Sequence, residues 1–155
     1  MKKHHVLFVC MGNICRSPTA EAVARKRAAL AGLAAKIEFD SAGTHGYHVG
    51  DAPDPRAIAA GAARGYELAS LRARIVETKD FARFNLVLAM DNQNYAQLAR
   101  LCPDEFRGRL KRLLDFAPPG TIREVPDPYY GNTDGFNAVV DLVESAVDGL
   151  LRELA

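Results

Sequence analysis

Cys10 and Arg16 frame the segment Cys10-Met11-Gly12-Asn13-Ile14-Cys15-Arg16-Ser17. A thiol and a guanidinium joined by a short loop of this kind suit nucleophilic chemistry on a phosphate ester. Such a loop turns backbone N–H groups inward, and a helix starting behind it adds the positive end of its dipole, so a tetrahedral dianion is held from several sides. Gly12 lets the backbone approach closely, and Asn13 tolerates a left-handed conformation while its side chain ties the loop together. Arg16 supplies a planar fork for two phosphate oxygens. The same surroundings favour Cys10 as a thiolate, the form that attacks phosphorus. Ser17 can hydrogen-bond the sulfur and help it depart in a second step, and it can equally cap the following helix.

A second set of residues lies far along the chain, at Asp127-Pro128-Tyr129-Tyr130-Gly131. A rigid proline there can fix Asp127 over the loop as a general acid. A tyrosyl leaving group has a pKa of about 10, so protonating it in the transition state removes much of the barrier. General acids contribute about 10²–10⁴-fold. Asp-Pro is also a common turn dipeptide, but Tyr129 and Tyr130 add aromatic walls suited to a flat phenyl substrate.

These residues need elements to position them. Val6-Leu7-Phe8-Val9-Cys10 is a short continuous apolar run, as expected of a strand buried on both faces. Ser17-Pro18 announces a helix carried by Thr19 to Leu30, with Gly32 as its stop. Ile37 to Thr44 reads as a second strand, Arg56 to Arg64 as a helix closed by Gly65, and Thr78 to Phe84 as a short helix capped by Thr78. Leu86 to Met90 repeats the buried-strand pattern and leads through Asp91 into a helix from Asn92 to Leu101. Leu110 to Phe116 is a weaker strand, Ala117 to Asp134 a long loop, and Phe136 to Leu154 an amphipathic helix. Strands alternating with helices imply an α/β fold with a parallel sheet covered on both faces. Ligands in such folds bind outside the carboxyl ends of the strands, where Cys10 and Asp91 both fall.

The chain has 155 residues, enough for one domain with a real core, and 48% apolar and 25% charged residues match globular averages. A net charge of +1 offers no broad basic field for nucleic acid, so an anion site must be local. Three cysteines, two of them close together, make a poor disulfide framework and fit a reducing compartment. The apolar run before Cys10 is too short for a signal peptide, and no run approaches membrane-spanning length. A cytoplasmic location is expected, with secretion without a signal peptide left open.

Together with Asp40-Ser41-Ala42-Gly43-Thr44 and Ala89-Met90-Asp91, the two motifs above resemble the low-molecular-weight protein tyrosine phosphatases, across essentially the whole chain. The resemblance implies a three-layer α/β/α domain with a four-stranded parallel sheet and a phosphate-binding loop between strand 1 and helix 1. It implies no metal and no organic cofactor. Cys10 would form a phosphocysteine, Arg16 would clamp phosphate, and Asp127 would act as acid and then as base for water. Met11, Gly12, Asn13, Ile14, Cys15 and Ser17 would line the loop, with Ser41 in its supporting network and Tyr47, Tyr129 and Tyr130 around the substrate slot. The implied partner is a phosphotyrosine-containing protein, a bacterial tyrosine kinase being one candidate, and phosphate or other oxyanions would inhibit.

The chain departs from the family at Leu71, where many members carry a histidine, so Asn13 loses one brace or finds another. Tyr47 stands where relatives often have Trp, which bears on preference rather than chemistry. Cys15 either packs under the loop or pairs with Cys10 under peroxide, making the site redox-sensitive. His45, His48, Asp51 and Asp54 lack recognisable metal-ligand spacing and read as loop polar residues. Arg107, Arg109, Lys111 and Arg112 read as a solvated basic face that an acidic partner could use. Thiol-dependent arsenate reductases share the Cys-x5-Arg loop, but there is no cysteine between Cys15 and Cys102 to serve as their relay pair. A pseudo-phosphatase that only captures phosphotyrosine would usually lack Cys10, Arg16 or Asp127, and all three are present.

Overall fold

The computed structural model describes residues 3–129, 131 and 133–155. Strand β1 (His4–Cys10) lies between β2 (Ile37–Gly43) and β3 (Leu86–Ala89), and β4 (Leu110–Arg112) follows at the edge. All pairings are parallel. Val6, Leu7, Phe8 and Val9 are fully buried because both faces of β1 are covered. Val6, Phe8 and Cys10 pack into one core with helix α1 (Arg16–Leu30) and the C-terminal helix, while Leu7 and Val9 pack into a second with Phe81 and Leu98. Two cores explain why the strand reads as an unbroken apolar run instead of an alternation.

The remaining helices are α2 (Pro55–Ala62), α3 (Asp80–Arg83), α4 (Asn92–Leu101) and α5 (Thr133–Leu154). From Arg16 to Ala24 every residue of α1 is buried. Its alanines allow close approach to the sheet on one side and to α5 on the other. Helix α5 answers with Val139, Val140, Val143, Ala146, Val147 and Leu150, a stripe at helical spacing and almost fully buried. The order β2-β1-β3-β4 means the chain leaves β1 to one side and returns to the other. The crevice of such a sheet opens at the carboxyl ends of β1 and β3.

Several boundaries differ from the sequence reading. Helix α1 starts at Arg16, with Cys15 at its N-cap and no side chain capping it. Ser17 therefore sits inside the first turn and is not the cap. Pro18 still costs nothing, since N–H groups of a first turn have no intrahelical partner. The short third helix covers only Asp80–Arg83, with Lys79 and not Thr78 at its N-cap. The fourth strand ends at Arg112 and gives way to a 3₁₀ turn, Leu113–Phe116. The last helix begins at Thr133, three residues before Phe136.

The basic run is more structural than its composition implied. Arg109 donates to the carbonyls of Phe81, Ala82 and Phe84 at 3.0–3.2 Å and so closes α3. Arg112 lies over the Tyr95 ring at 5.2 Å. No helix among the described residues is long and apolar enough to cross a membrane.

One close approach fixes how α5 meets the 3₁₀ turn. A Cβ added at Gly149 would collide with the Phe116 carbonyl, which is backbone and cannot step aside. Gly149→Ala should therefore lower stability by about 1–3 kcal/mol despite the better helix propensity of alanine, read as a lower urea midpoint with an unchanged slope.

Candidate active site

The loop from Met11 to Cys15 leaves β1 and enters α1 at the crevice. Asn13 has a left-handed backbone, φ 59°. That conformation brings its own N–H to Cys10 Sγ at 3.3 Å. Ser17 Oγ lies 3.0 Å from the same sulfur. The Asn13 amide nitrogen donates to Ser17 Oγ at 2.8 Å and to Ser41 Oγ at 3.0 Å. Its oxygen accepts from the backbone N–H of Arg74 at 2.9 Å. This last bond is the brace that Leu71 cannot provide. It comes from backbone, so no residue type near position 71 announces it.

Arg74 is itself fixed. Its guanidinium contacts Asp40 at 3.1 Å and Asp80 at 3.0 Å, and its carbonyl accepts from Gly43 N–H. Gly43 has to be glycine here, since a Cβ would meet Met11 O at 2.8 Å. Thr44 and His45 continue the ladder by donating to the carbonyls of Cys10 and Met11. Asp54, the N-cap of α2, donates its N–H to Ile14 O at 2.8 Å. The loop is thus held from β2, from the segment after Leu71 and from α2.

Arg16 is buried, and one edge of its fork is already held. Nη1 donates to Asp91 Oδ2 at 2.7 Å and to Val125 O at 3.0 Å. Nη2 lies 3.7 Å from Asp127 Oδ2. Burial opposes its charge, but Cys10, Asp91 and Asp127 outweigh burial and raise its pKa, so it is a permanent cation. Asp91 uses its other oxygen to cap α4 through Asn94 N–H at 2.7 Å. Val125 donates to Met90 O at 2.8 Å, which pins the Asp127 segment to the end of β3. Asp127 Oδ1 accepts from Tyr129 N–H at 3.0 Å, so the carboxylate is held by its own turn.

A cavity of about 210 Å³ joins these groups, lined by Cys10, Met11, Gly12, Ile14, Cys15 and Arg16 together with Tyr47, His48, Asp127 and Tyr129. Tyr47 is 73% exposed and stacks on His45 with ring centroids 5.3 Å apart. Arg56 packs over the Tyr129 ring at 5.7 Å and donates to its carbonyl at 2.9 Å, tying this rim to α2. Tyr130 lies outside the described residues. Cys15 is buried, and burial, with Cys10, Asp54 and Asp127 adding and Arg56 opposing, pushes its thiol far up and keeps it neutral. His45 and His48 bond Thr44 and Asp51. Cys102 packs in the second core, and burial raises its thiol too.

Of the described residues expected at the site, Asn13, Ser17 and Ser41 form the hydrogen-bond network joined to the Cys10 sulfur, and the others line the cavity. The sequence reading missed three contributors: Asp91 as the partner of Arg16, Val125 as its backbone acceptor, and Glu21 behind Ser41. Asp91 had a signal, since it follows a buried strand. Glu21 had a fainter one, a lone carboxylate one turn from Ser17 in a run that the structure buries.

A parallel sheet with a Cys-x5-Arg segment at its crevice defines an α/β domain with its candidate site at the strand ends, and comparison with known proteins narrows it. Residues 5–155 match the family described as low molecular weight phosphotyrosine protein phosphatase. A low molecular weight protein-tyrosine-phosphatase of Streptomyces coelicolor is 48% identical over 96% of this chain and 92% of that protein. The low molecular weight phosphotyrosine protein phosphatase of Sus scrofa is 41% identical over 86% of this chain and 85% of that one. The crystal structure of a protein tyrosine phosphatase from Entamoeba histolytica superposes with a TM-score of 0.95 at 43% identity, covering 98% of this chain and 97% of that one. The chain belongs to the low molecular weight phosphotyrosine protein phosphatase family, a hydrolase class.

The cross-tied asparagine is the point to test first. Asn13→Ala removes three side-chain bonds and places alanine at positive φ. It should cost about 2–4 kcal/mol of stability and weaken inhibition by inorganic phosphate at least ten-fold, measured by urea unfolding and by competition against a small aryl phosphate.

Proposed function

We propose that the chain hydrolyses phosphotyrosine esters and small aryl phosphates through a phosphocysteine on Cys10. The observation that carries this reading is convergence: the Cys10 sulfur, the Arg16 guanidinium and the Asp127 carboxylate all face one small cavity with tyrosines at its rim. In the first step the Cys10 thiolate attacks phosphorus and an S–P bond forms. The P–O bond to the phenol breaks, and the departing oxygen takes the proton of the Asp127 carboxyl. In the second step a water gives its proton to the Asp127 carboxylate and attacks phosphorus. The S–P bond breaks, releasing inorganic phosphate and the thiolate.

The surrounding contacts suit both steps. With Nη1 held by Asp91 and Val125, the free edge of the Arg16 fork is preset toward two phosphate oxygens, so little is spent ordering it when the ester binds. The Asn13 N–H and the Ser17 hydroxyl stabilise negative charge on sulfur, which favours both the attacking thiolate and its departure. Tyr47 and Tyr129 supply the flat surfaces a phenyl ring needs. The natural substrate is then a phosphotyrosine-containing protein, a tyrosine kinase being one candidate.

Two variants test the chemistry at mildly acidic pH. Cys10→Ser should abolish turnover while still binding phosphate esters. Asp127→Ala should lower kcat by about 10²-fold or more for phenyl phosphate and far less for aryl phosphates with acidic phenols. Equal losses across all leaving groups would remove Asp127 from the acid role.

A further inference from the structure

Arg56 is a cation that this chemistry does not use, yet it lies between the Cys10–Arg16 loop and the segment that carries Asp127. It belongs to the first turn of α2, and its fork closes on Asp54 twice, from Nε to Oδ1 at 3.0 Å and from Nη2 to Oδ2 at 2.9 Å. The backbone N–H of Asp54 in turn holds the Ile14 carbonyl of the loop at 2.8 Å. The remaining donors of Arg56 point the other way. Nη2 reaches the Tyr129 carbonyl at 2.9 Å and Nη1 the Gly131 carbonyl at 3.3 Å. The guanidinium also lies over the ring of Phe136, a buried residue near the start of α5, at 4.6 Å. Its donors share one plane, so the pair with Asp54 fixes where the others aim.

Tyr129 is where this tie meets the acid. Its carbonyl accepts from Arg56, and its N–H donates to Asp127 Oδ1 at 3.0 Å. Pro128 lies between them with its φ locked, so the carboxylate moves with the backbone of Tyr129. Arg16 Nη2 is 3.7 Å from the other oxygen, beyond hydrogen-bond reach, and does not hold it. Upstream, Val125 pins the segment to Met90 O at 2.8 Å. Asp127 is thus carried between two anchors, one at the end of β3 and one at the start of α2.

The geometry points to Arg56 as a positioning residue that sets the Asp127 carboxyl over the Cys10 loop, by tying its turn to the same helix start that holds Ile14. The inference rests on Asp127 being the general acid. A reacting group displaced by about 1 Å can lose about 10²-fold in rate, so a loosened turn delivers its proton poorly. The loop keeps its own ties from β2, from Arg74 and from the Asp54 N–H, so its hold on phosphate does not depend on the fork.

The test is a double-mutant cycle read through kcat/KM, which covers every step up to release of the phenol. Arg56→Met keeps an unbranched stem and removes the fork. It should lower kcat/KM for phenyl phosphate about ten-fold, a part of the loss expected on removing the acid, and less than about three-fold for aryl phosphates of acidic phenols. Inhibition by inorganic phosphate should change less than about three-fold. In an Asp127→Ala background, Arg56→Met should change kcat/KM for phenyl phosphate less than about two-fold, because no acid is left to place. A purely structural role would carry into that background undiminished.

Arg56→Met also leaves Asp54 without its counter-charge, so Arg56→Lys is the second arm. An ammonium keeps the charge but not the planar fork, and should lose about three-fold for phenyl phosphate with the same dependence on leaving group. Equal losses across leaving groups, or a loss undiminished beside Asp127→Ala, overturn the proposal. So does an unchanged kcat/KM for phenyl phosphate in either folded variant, or a loss of phosphate inhibition that matches the loss of kcat/KM. Failure of the acid reading shows in Asp127→Ala alone, as a loss that ignores the leaving group, and the proposal falls with it. Where Asp127→Ala does discriminate between leaving groups, the outcome bears on Arg56 only.

Discussion

Asn13 holds the only positive φ among the described non-glycine residues, and its side-chain amide is bonded at both ends. The two facts belong together. A left-handed asparagine costs roughly 1 kcal/mol, and it persists where surrounding contacts over-determine it. Here the amide oxygen is fixed by Arg74 N–H and the amide nitrogen by Ser17 and Ser41. Because the oxygen is anchored to backbone, the amide cannot turn over, and both N–H groups must point at hydroxyls. The left-handed turn in the same residue aims its own N–H at sulfur. One side chain thereby sets both the shape of the loop and the direction of its hydrogen bonds.

The fold exists around that constraint in a specific sense. The parallel sheet places the ends of β1, β2 and β3 side by side, with Cys10 opposite Gly43. Gly43 admits the loop backbone, and Arg74 reaches it through the strand-like segment that pairs beyond Gly43. The next layer is electrostatic. Asp91 and Asp127 offset the burial of Arg16, and Asp40 and Asp80 hold Arg74. Arg16 with Asp91 is the buried pair of these, and removing Asp91 would leave the buried guanidinium with a much weaker counter-charge.

Much of this was legible in the sequence, for reasons that differ by residue. The buried strands β1 and β3 announce themselves as apolar runs, because only strands covered on both faces lose their alternation. Cys10, Gly12, Asn13 and Arg16 are legible because each residue type is constrained by geometry that few others satisfy. Helix starts were read less well. Ser17 looks like a cap, but α1 starts one residue before it, no side chain caps the helix and the serine turns to sulfur. The basic run from Arg107 to Arg112 was read in part: Arg107 and Lys111 are exposed, but Arg109 caps carbonyls, and a guanidinium that does so looks the same in sequence as a solvated one.

What the sequence could not carry is which backbone groups serve the site. Leu71 marks a missing hydrogen-bonding side chain, but its replacement is a backbone N–H, which every residue except proline has. Val125 contributes a carbonyl, for which the same holds. Glu21 is visible as a residue and invisible as a participant, because only the fold places it beside Ser41. A hydroxyl network has no polarity of its own. It takes polarity from a fixed group, and here that group is the Asn13 amide, whose oxygen is anchored by the Arg74 N–H so that its nitrogen donates to both serines. The loop thus depends on a backbone N–H sixty-one residues further along the chain as much as on its own side chains.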